Sequence, residues 1–186
     1  MSPRVLLGFA FGHRGPEAGI SNMDMAAYAI VDWNKWQYRS LQREIAQAAE
    51  QLGFVPEHVT GEGGLGRWYH AQEIVRLQLD DLQARGYHLS DLEYDVLCSK
   101  THWSGCLWFL KKELASRGVI NPTIVRLPAK VRYDIASWQV STRSSIHVFV
   151  PKVWRGIQSL WRGDISIWDV LRYFAGRSWS WPGSGV

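Results

Sequence analysis

Short apolar runs that empty into small and polar residues, followed by apolar positions three and four apart, recur along the chain. The clearest case runs from Tyr94 to Leu114. Val96-Leu97-Cys98 has the size of a buried parallel strand, and Ser99-Lys100-Thr101-His102 breaks it. Leu107, Phe109, Leu110 and Leu114 then resume as a helix, with Lys111 and Lys112 on its wet side. A strand that passes through a polar turn into a helix places that turn at the carboxyl edge of a sheet, where open α/β sheets bind ligands. The start of the helix adds free N–H groups and the positive end of a dipole.

The same grammar is legible elsewhere. Arg4–Gly12 reads as a first strand, entering a glycine-rich loop that runs to Gly19. Ser21 or Asn22 is placed to cap a helix, with Asp24 in its first turn. Apolar positions continue through Met25, Tyr28, Ala29, Trp33 and Trp36, and again through Leu41, Ile45, Ala48, Ala49 and Leu52. They predict one long helix, or two broken near Asp32–Lys35, closed by Gly53. Phe54–Thr60 is a weaker strand, interrupted by Pro56. It leads into a loop, Thr60–Arg67, with four glycines in six residues, then a helix from about Trp68 to Arg85 closed by Gly86.

Gly118 ends the helix after the central turn. Pro122–Pro128 is another strand, Val131–Val140 a strand or a loop returning across the sheet, and Ser145–Val150 a further strand. In the tail, Trp154, Trp161 and Trp168 recur every seven residues with Ile157, Leu160, Leu171 and Phe174. That stripe predicts a helical face docked on the sheet. Contact with a membrane surface through Arg155, Arg162 and Arg172, or a dimer seam, are the alternatives. Ser178–Val186 is rich in Gly, Pro and Ser and predicted to fray.

Strand and helix alternate throughout, so the predicted class is α/β: three layers, a mainly parallel sheet and a Trp-rich C-terminal helical tail. Residues 1–150 would form the α/β domain, and 151–186 a helical extension packed on it. A chain of 186 residues, 46% hydrophobic and 20% charged, has the mass for one such core. Eleven Trp are the anomaly, and burial in a core or interface is their commonest use. A formal net charge of +4 suits an acidic ligand without requiring nucleic acid, and no nucleic-acid module is recognised. Cys98 and Cys106 read as buried, reduced thiols whose spacing fits no zinc pattern, so no metal is expected. Val5–Phe11 is too short for a signal peptide, and no apolar run has the length of a membrane span. A cytoplasmic location is the expectation these features leave.

The candidate chemistry lies in three loops. Gly8, Gly12, Gly61, Gly63 and Gly64 would let backbone approach a ligand closely, although Gly-x-Gly-x-x-Gly spacing is absent. His13, Arg14, Arg67 and Lys100 would supply positive charge, and Ser99, Thr101 and His102 hydrogen bonds. His102 or Glu62 would move a proton if the site is catalytic. Ser99 is not in a Gly-x-Ser-x-Gly elbow, so no catalytic triad follows from spacing.

Three segments together resemble the YdcF/SanA/ElyC-like family of bacterial α/β proteins, over roughly Val5 to Val125. They are the opening Leu7-Gly8-Phe9-Ala10-Phe11-Gly12 with Ser21 beyond it, the loop Thr60-Gly61-Glu62-Gly63-Gly64 with His70-Ala71 after it, and Cys98-Ser99-Lys100-Thr101-His102. The resemblance implies a Rossmann-like fold, a polar pocket built from these loops, and a nucleotide-like ligand such as S-adenosylmethionine. Two functions compete. One is binding of a small anionic or nucleotide-like molecule, with transferase or hydrolase chemistry left open. The other is a non-enzymatic interaction or membrane-surface module that uses the basic, Trp-rich tail.

Overall fold

The computed structural model describes residues 2–12, 17–61, 71–127 and 129–136. Five strands, β1 (Arg4–Gly8), β2 (Tyr38–Gln42), β3 (His58–Thr60), β4 (Glu93–Leu97) and β5 (Thr123–Arg126), form one sheet in the order β3-β2-β1-β4-β5. Every pairing among them is parallel. Four helices, α1 (Ile20–Val31), α2 (Arg43–Gln51), α3 (Ala71–Ala84) and α4 (Trp103–Ser116), cover it. This is the three-layer, Rossmann-like α/β arrangement.

Alternation along the central strands sorts side chains to the two faces. Val5 and Leu7 join Tyr94 and Val96 against Ile74, Val75 and Leu79 of α3 and Leu110 and Leu114 of α4. Leu6 and Leu97 face the other way, toward Met25, Ala26 and Ala29 of α1 and Ile45, Ala48 and Ala49 of α2. Because β1 is covered on both faces, it reads as the unbroken run Val-Leu-Leu rather than an alternating one. The alanines of α1 and α2 let those helices lie close to each other and to the sheet.

The structure corrects several boundaries. The first strand ends at Gly8, not Gly12. The long helical pattern is two helices broken at Asp32–Lys35, as one of the two expectations had it, but the second begins only at Arg43. A 3-10 turn at Trp33–Lys35 stops α1, Trp36 is extended, and β2 intervenes before α2. With only Tyr38 and Leu41 strongly apolar, β2 does not resemble a core strand in sequence. It is one because its pairing groups are taken by β1 and β3 and its buried Ser40 has a partner in Thr60, 3.2 Å away. The strand after Pro56 is shorter than expected, His58–Thr60. Ser21 and Asn22 lie inside α1, whose cap position is Gly19. Asp24 lies beyond the first turn and pairs with Arg132 instead. Residues 129–136 have no regular structure, so that part of Val131–Val140 is the returning loop rather than a strand. Gly53, Gly86 and Gly118 close α2, α3 and α4 with positive φ, as expected. The predicted strand Ser145–Val150 and the extension 151–186, with Trp154, Trp161 and Trp168, lie outside the described residues.

Candidate functional site

The strand order fixes where a crevice opens. From β1 the chain leaves through α1 toward β2; from β4 it leaves through α4, on the opposite face, toward β5. Neighbouring strands whose connections depart to opposite sides leave a gap between their loops at the carboxyl edge. Here those loops are Phe9–Gly12 and Cys98–His102. The Phe9 N–H still bonds the Leu97 carbonyl at 2.9 Å, so both loops spring from one point. They meet again at Phe11, whose ring lies edge-on to His102 with centroids 6.5 Å apart.

The β1 loop is held by side chains from two other elements. Buried Asn22 of α1 accepts the Phe11 N–H at 3.0 Å and donates its amide to the Gly12 carbonyl at 2.8 Å. Gln42, the last residue of β2, accepts the Ala10 N–H at 2.9 Å. Gly12 has φ of 76°, which a residue with a Cβ adopts only at a cost. Such a loop keeps its shape without a ligand.

The β4 turn is compact. Ser99 is buried and its carbonyl accepts the N–H groups of both His102 (3.0 Å) and Trp103 (3.1 Å). Its hydroxyl pairs with that of Thr101 at 3.1 Å. His102 stands at the N-cap of α4 and Lys100 is exposed. Behind the turn, the guanidinium of Arg126, at the end of β5, lies 5.7 Å from the centre of the Trp103 ring. No family model, curated protein or solved structure matches this chain.

A third segment, which the sequence reading did not assign to the site, completes the crevice. Residues 129–136 return from β5 to the start of α1. Asp134, 1% exposed, places Oδ2 on the Ile20 N–H at 3.0 Å and Oδ1 on the Ala136 N–H at 3.1 Å. Arg132 ties the segment to Asp24 with a bond at 2.7 Å, and the Ser21 hydroxyl donates to the Arg132 carbonyl at 2.6 Å. The hydrogen bond from Arg132 lowers the Asp24 carboxyl below its ordinary range, outweighing the opposing effect of burial. Tyr133 sits edge-on to Phe11, 6.0 Å between centroids. Tyr133, Asp134 and Arg126 carried no local signal. Each matters through contacts with residues far away in sequence.

The remaining predicted residues divide three ways. Gly8 is a packing glycine: a Cβ there would come within 2.6 Å of Leu41 Cδ2 and 3.3 Å of Ile45 Cδ1. Gly61, φ 87°, follows β3 on the same sheet edge, but β3 is three strands from β4, about 14 Å at the usual strand spacing. His13, Arg14, Glu62, Gly63, Gly64 and Arg67 lie outside the described residues. Gly12, Ser99, Lys100, Thr101 and His102 are brought together where β1 and β4 end.

Among the described residues no group of three His, Cys, Asp or Glu is arranged to hold a metal, and no helix is long and apolar enough to cross a membrane. Cys98 and Cys106 are free and buried. Burial, together with the neighbouring Cys98 sulfur, pushes the Cys106 thiol well above its usual value, which suits a core residue and not a nucleophile.

Proposed function

We propose that the chain binds a small anionic, nucleotide-like molecule in the crevice between the carboxyl ends of β1 and β4. The observation that carries this reading is the meeting of the Phe11–Gly12 loop with the Ser99–His102 turn at the point where the strand connections diverge. The anionic group belongs on the β4 side. The start of α1, the usual anion seat after a first strand, already holds the buried Asp134 carboxylate, and a second negative charge there would be repelled. Lys100, the His102 ring and the hydroxyls of Ser99 and Thr101 are the groups that would meet the ligand.

The resemblance to the YdcF/SanA/ElyC-like family favours a ligand of the S-adenosylmethionine type, whose carboxylate would be the group received by the β4 turn although the molecule as a whole is not an anion. Binding is the stronger reading than catalysis. The Ser99 hydroxyl is paired with Thr101, and the groups at the turn recognise charge without assembling a nucleophile, a base and an orienting group. If the crevice is catalytic, His102 is the residue placed to move a proton.

Native mass spectrometry of the freshly purified chain tests this directly. The expected result is an adduct of nucleotide or S-adenosylmethionine mass that is lost in Lys100→Ala combined with His102→Ala. A ligand-free chain whose melting temperature is unmoved by S-adenosylmethionine, AMP or ribose 5-phosphate would overturn it.

A further inference from the structure

The crevice has an aromatic side as well as a charged one. Three rings from three separate segments come together there. Phe11 follows β1, His102 begins α4, and Tyr133 lies on the segment returning from β5. Phe11 is 5% exposed and closes the core beneath. Tyr133 meets Phe11 in an edge-to-face contact yet stays 37% exposed.

The backbone on either side of Tyr133 is pinned. Before it, the Arg132 N–H and side chain both bond Asp24, at 2.9 and 2.7 Å, and the Arg132 carbonyl takes the Ser21 hydroxyl. After it, Asp134 is buried on the first N–H of α1. An aromatic ring on a fixed backbone loses little conformational freedom when something stacks on it, so it makes an efficient contact surface. Phe11 already seals the core, so the exposed part of Tyr133 is not needed for that purpose.

Lys100, in the turn that leads into α4, supplies the cation on one side, and the pinned ring lies toward α1 on the other. A molecule that meets both carries an anion at one end and a flat ring at the other. We propose that Tyr133 is the ring platform of the site, stacking the base or other planar ring of the ligand while the Ser99–His102 turn receives its anion. This rests on the function proposed above and adds the class of group that the second half of the crevice selects.

AMP and ribose 5-phosphate share sugar and phosphate and differ by the base, so they separate the two halves. Isothermal titration of the full chain should give AMP about tenfold tighter binding than ribose 5-phosphate, the usual scale of base–aromatic stacking. Tyr133→Ala should remove that preference and leave ribose 5-phosphate unchanged, while Tyr133→Phe should keep it. Tyr133→Leu retains apolar bulk without a π face and should behave as Tyr133→Ala; it decides the matter if the alanine variant fails to fold. Equal affinities in the unaltered chain, or a preference that survives Tyr133→Leu, would overturn the ring platform and leave the anion reading standing. Binding of neither molecule would overturn the ring platform, and if S-adenosylmethionine also failed to bind, the anion reading would fall with it.

Discussion

The Asp134 carboxylate accepts the Ile20 N–H at 3.0 Å, across 114 residues of sequence. Gly19, at the cap position of α1, offers no side chain of its own, so the helix receives its terminal acceptor from the segment after β5. The contact joins the last described loop to the first helix. It also places a fixed negative charge at the positive end of α1, which stabilises the helix and keeps a ligand anion on the β4 side.

Asp134→Ala should therefore destabilise the fold by about 1 kcal/mol, as loss of a capping acceptor usually does. Asp134→Asn keeps an acceptor oxygen and should cost less. Urea denaturation of both variants checks the order. An alanine variant as stable as the parent would mean that the contact contributes nothing.

Gly8→Ala tests whether that glycine serves packing or a ligand. The added Cβ would press on Leu41 and Ile45, so stability should fall by about 1–3 kcal/mol, the usual cost of overpacking. Affinity of the folded fraction for AMP should not change. A stable variant that had lost affinity would return Gly8 to the binding site.

Much of the fold is legible because helices and buried strands announce themselves by periodicity. Val96-Leu97-Cys98 followed by Ser99–His102 and the α4 pattern marks both an element and a site position. β2 is illegible for a physical reason. Its stability comes from neighbours: Ser40 meets Thr60, and Gln78 of α3 donates to the Ser40 carbonyl at 3.1 Å and the Gly8 carbonyl at 3.3 Å. Polar residues satisfied across the fold look like surface residues in one dimension. The site divides in the same way. Its Ser99–His102 half is one contiguous turn, whereas Asn22, Tyr133 and Asp134 join it only through tertiary contacts.

Acid should weaken the fold below about pH 4. Burial works to raise the Asp81 carboxyl, but hydrogen bonds from Tyr38 and Arg85, with the charges of His58 and Arg85, outweigh it and hold the group below its ordinary value. Glu57 behaves alike: burial raises it, and Arg39 pulls it lower overall. Asp24 is lowered by Arg132. A depressed native pKa contributes stability that is present above the unfolded value, about 4 for these carboxylates, and is lost as pH falls through the native one. At the other extreme, burial and Asp81 raise the Tyr38 phenol. That contribution is complete below about pH 10 and is lost as pH rises beyond it. Stability measured against pH should fall at both ends, and Asp24→Asn should reduce the acid slope. An acid limb unchanged by Asp24→Asn would show that the Asp24–Arg132 pair adds nothing.

The largest single loss should come from Asp95, deep in the sheet on β4. Its two oxygens each accept a bond from Arg4 Nη2 at 2.7 Å, and Oδ2 also accepts the Trp36 indole N–H at 2.7 Å. Asp95 and Trp36 are buried and Arg4 is partly so. One carboxylate thus ties the start of β1 and the link before β2 to the middle of β4. Asp95→Ala would leave the buried indole N–H without its acceptor and the Arg4 guanidinium with only the Glu93 carboxylate, 3.7 Å away, at a cost of about 2–4 kcal/mol. Removing the charge and its partner together is different, because no buried ion is left alone. Arg4→Met with Asp95→Leu should be more stable than Asp95→Ala, leaving the buried indole N–H unpaired and the partly exposed Glu93 without Arg4. If the single variant lost less than about 0.5 kcal/mol, the buried pair would be compensated by solvent, and its place in the fold would have to be explained by something other than stability.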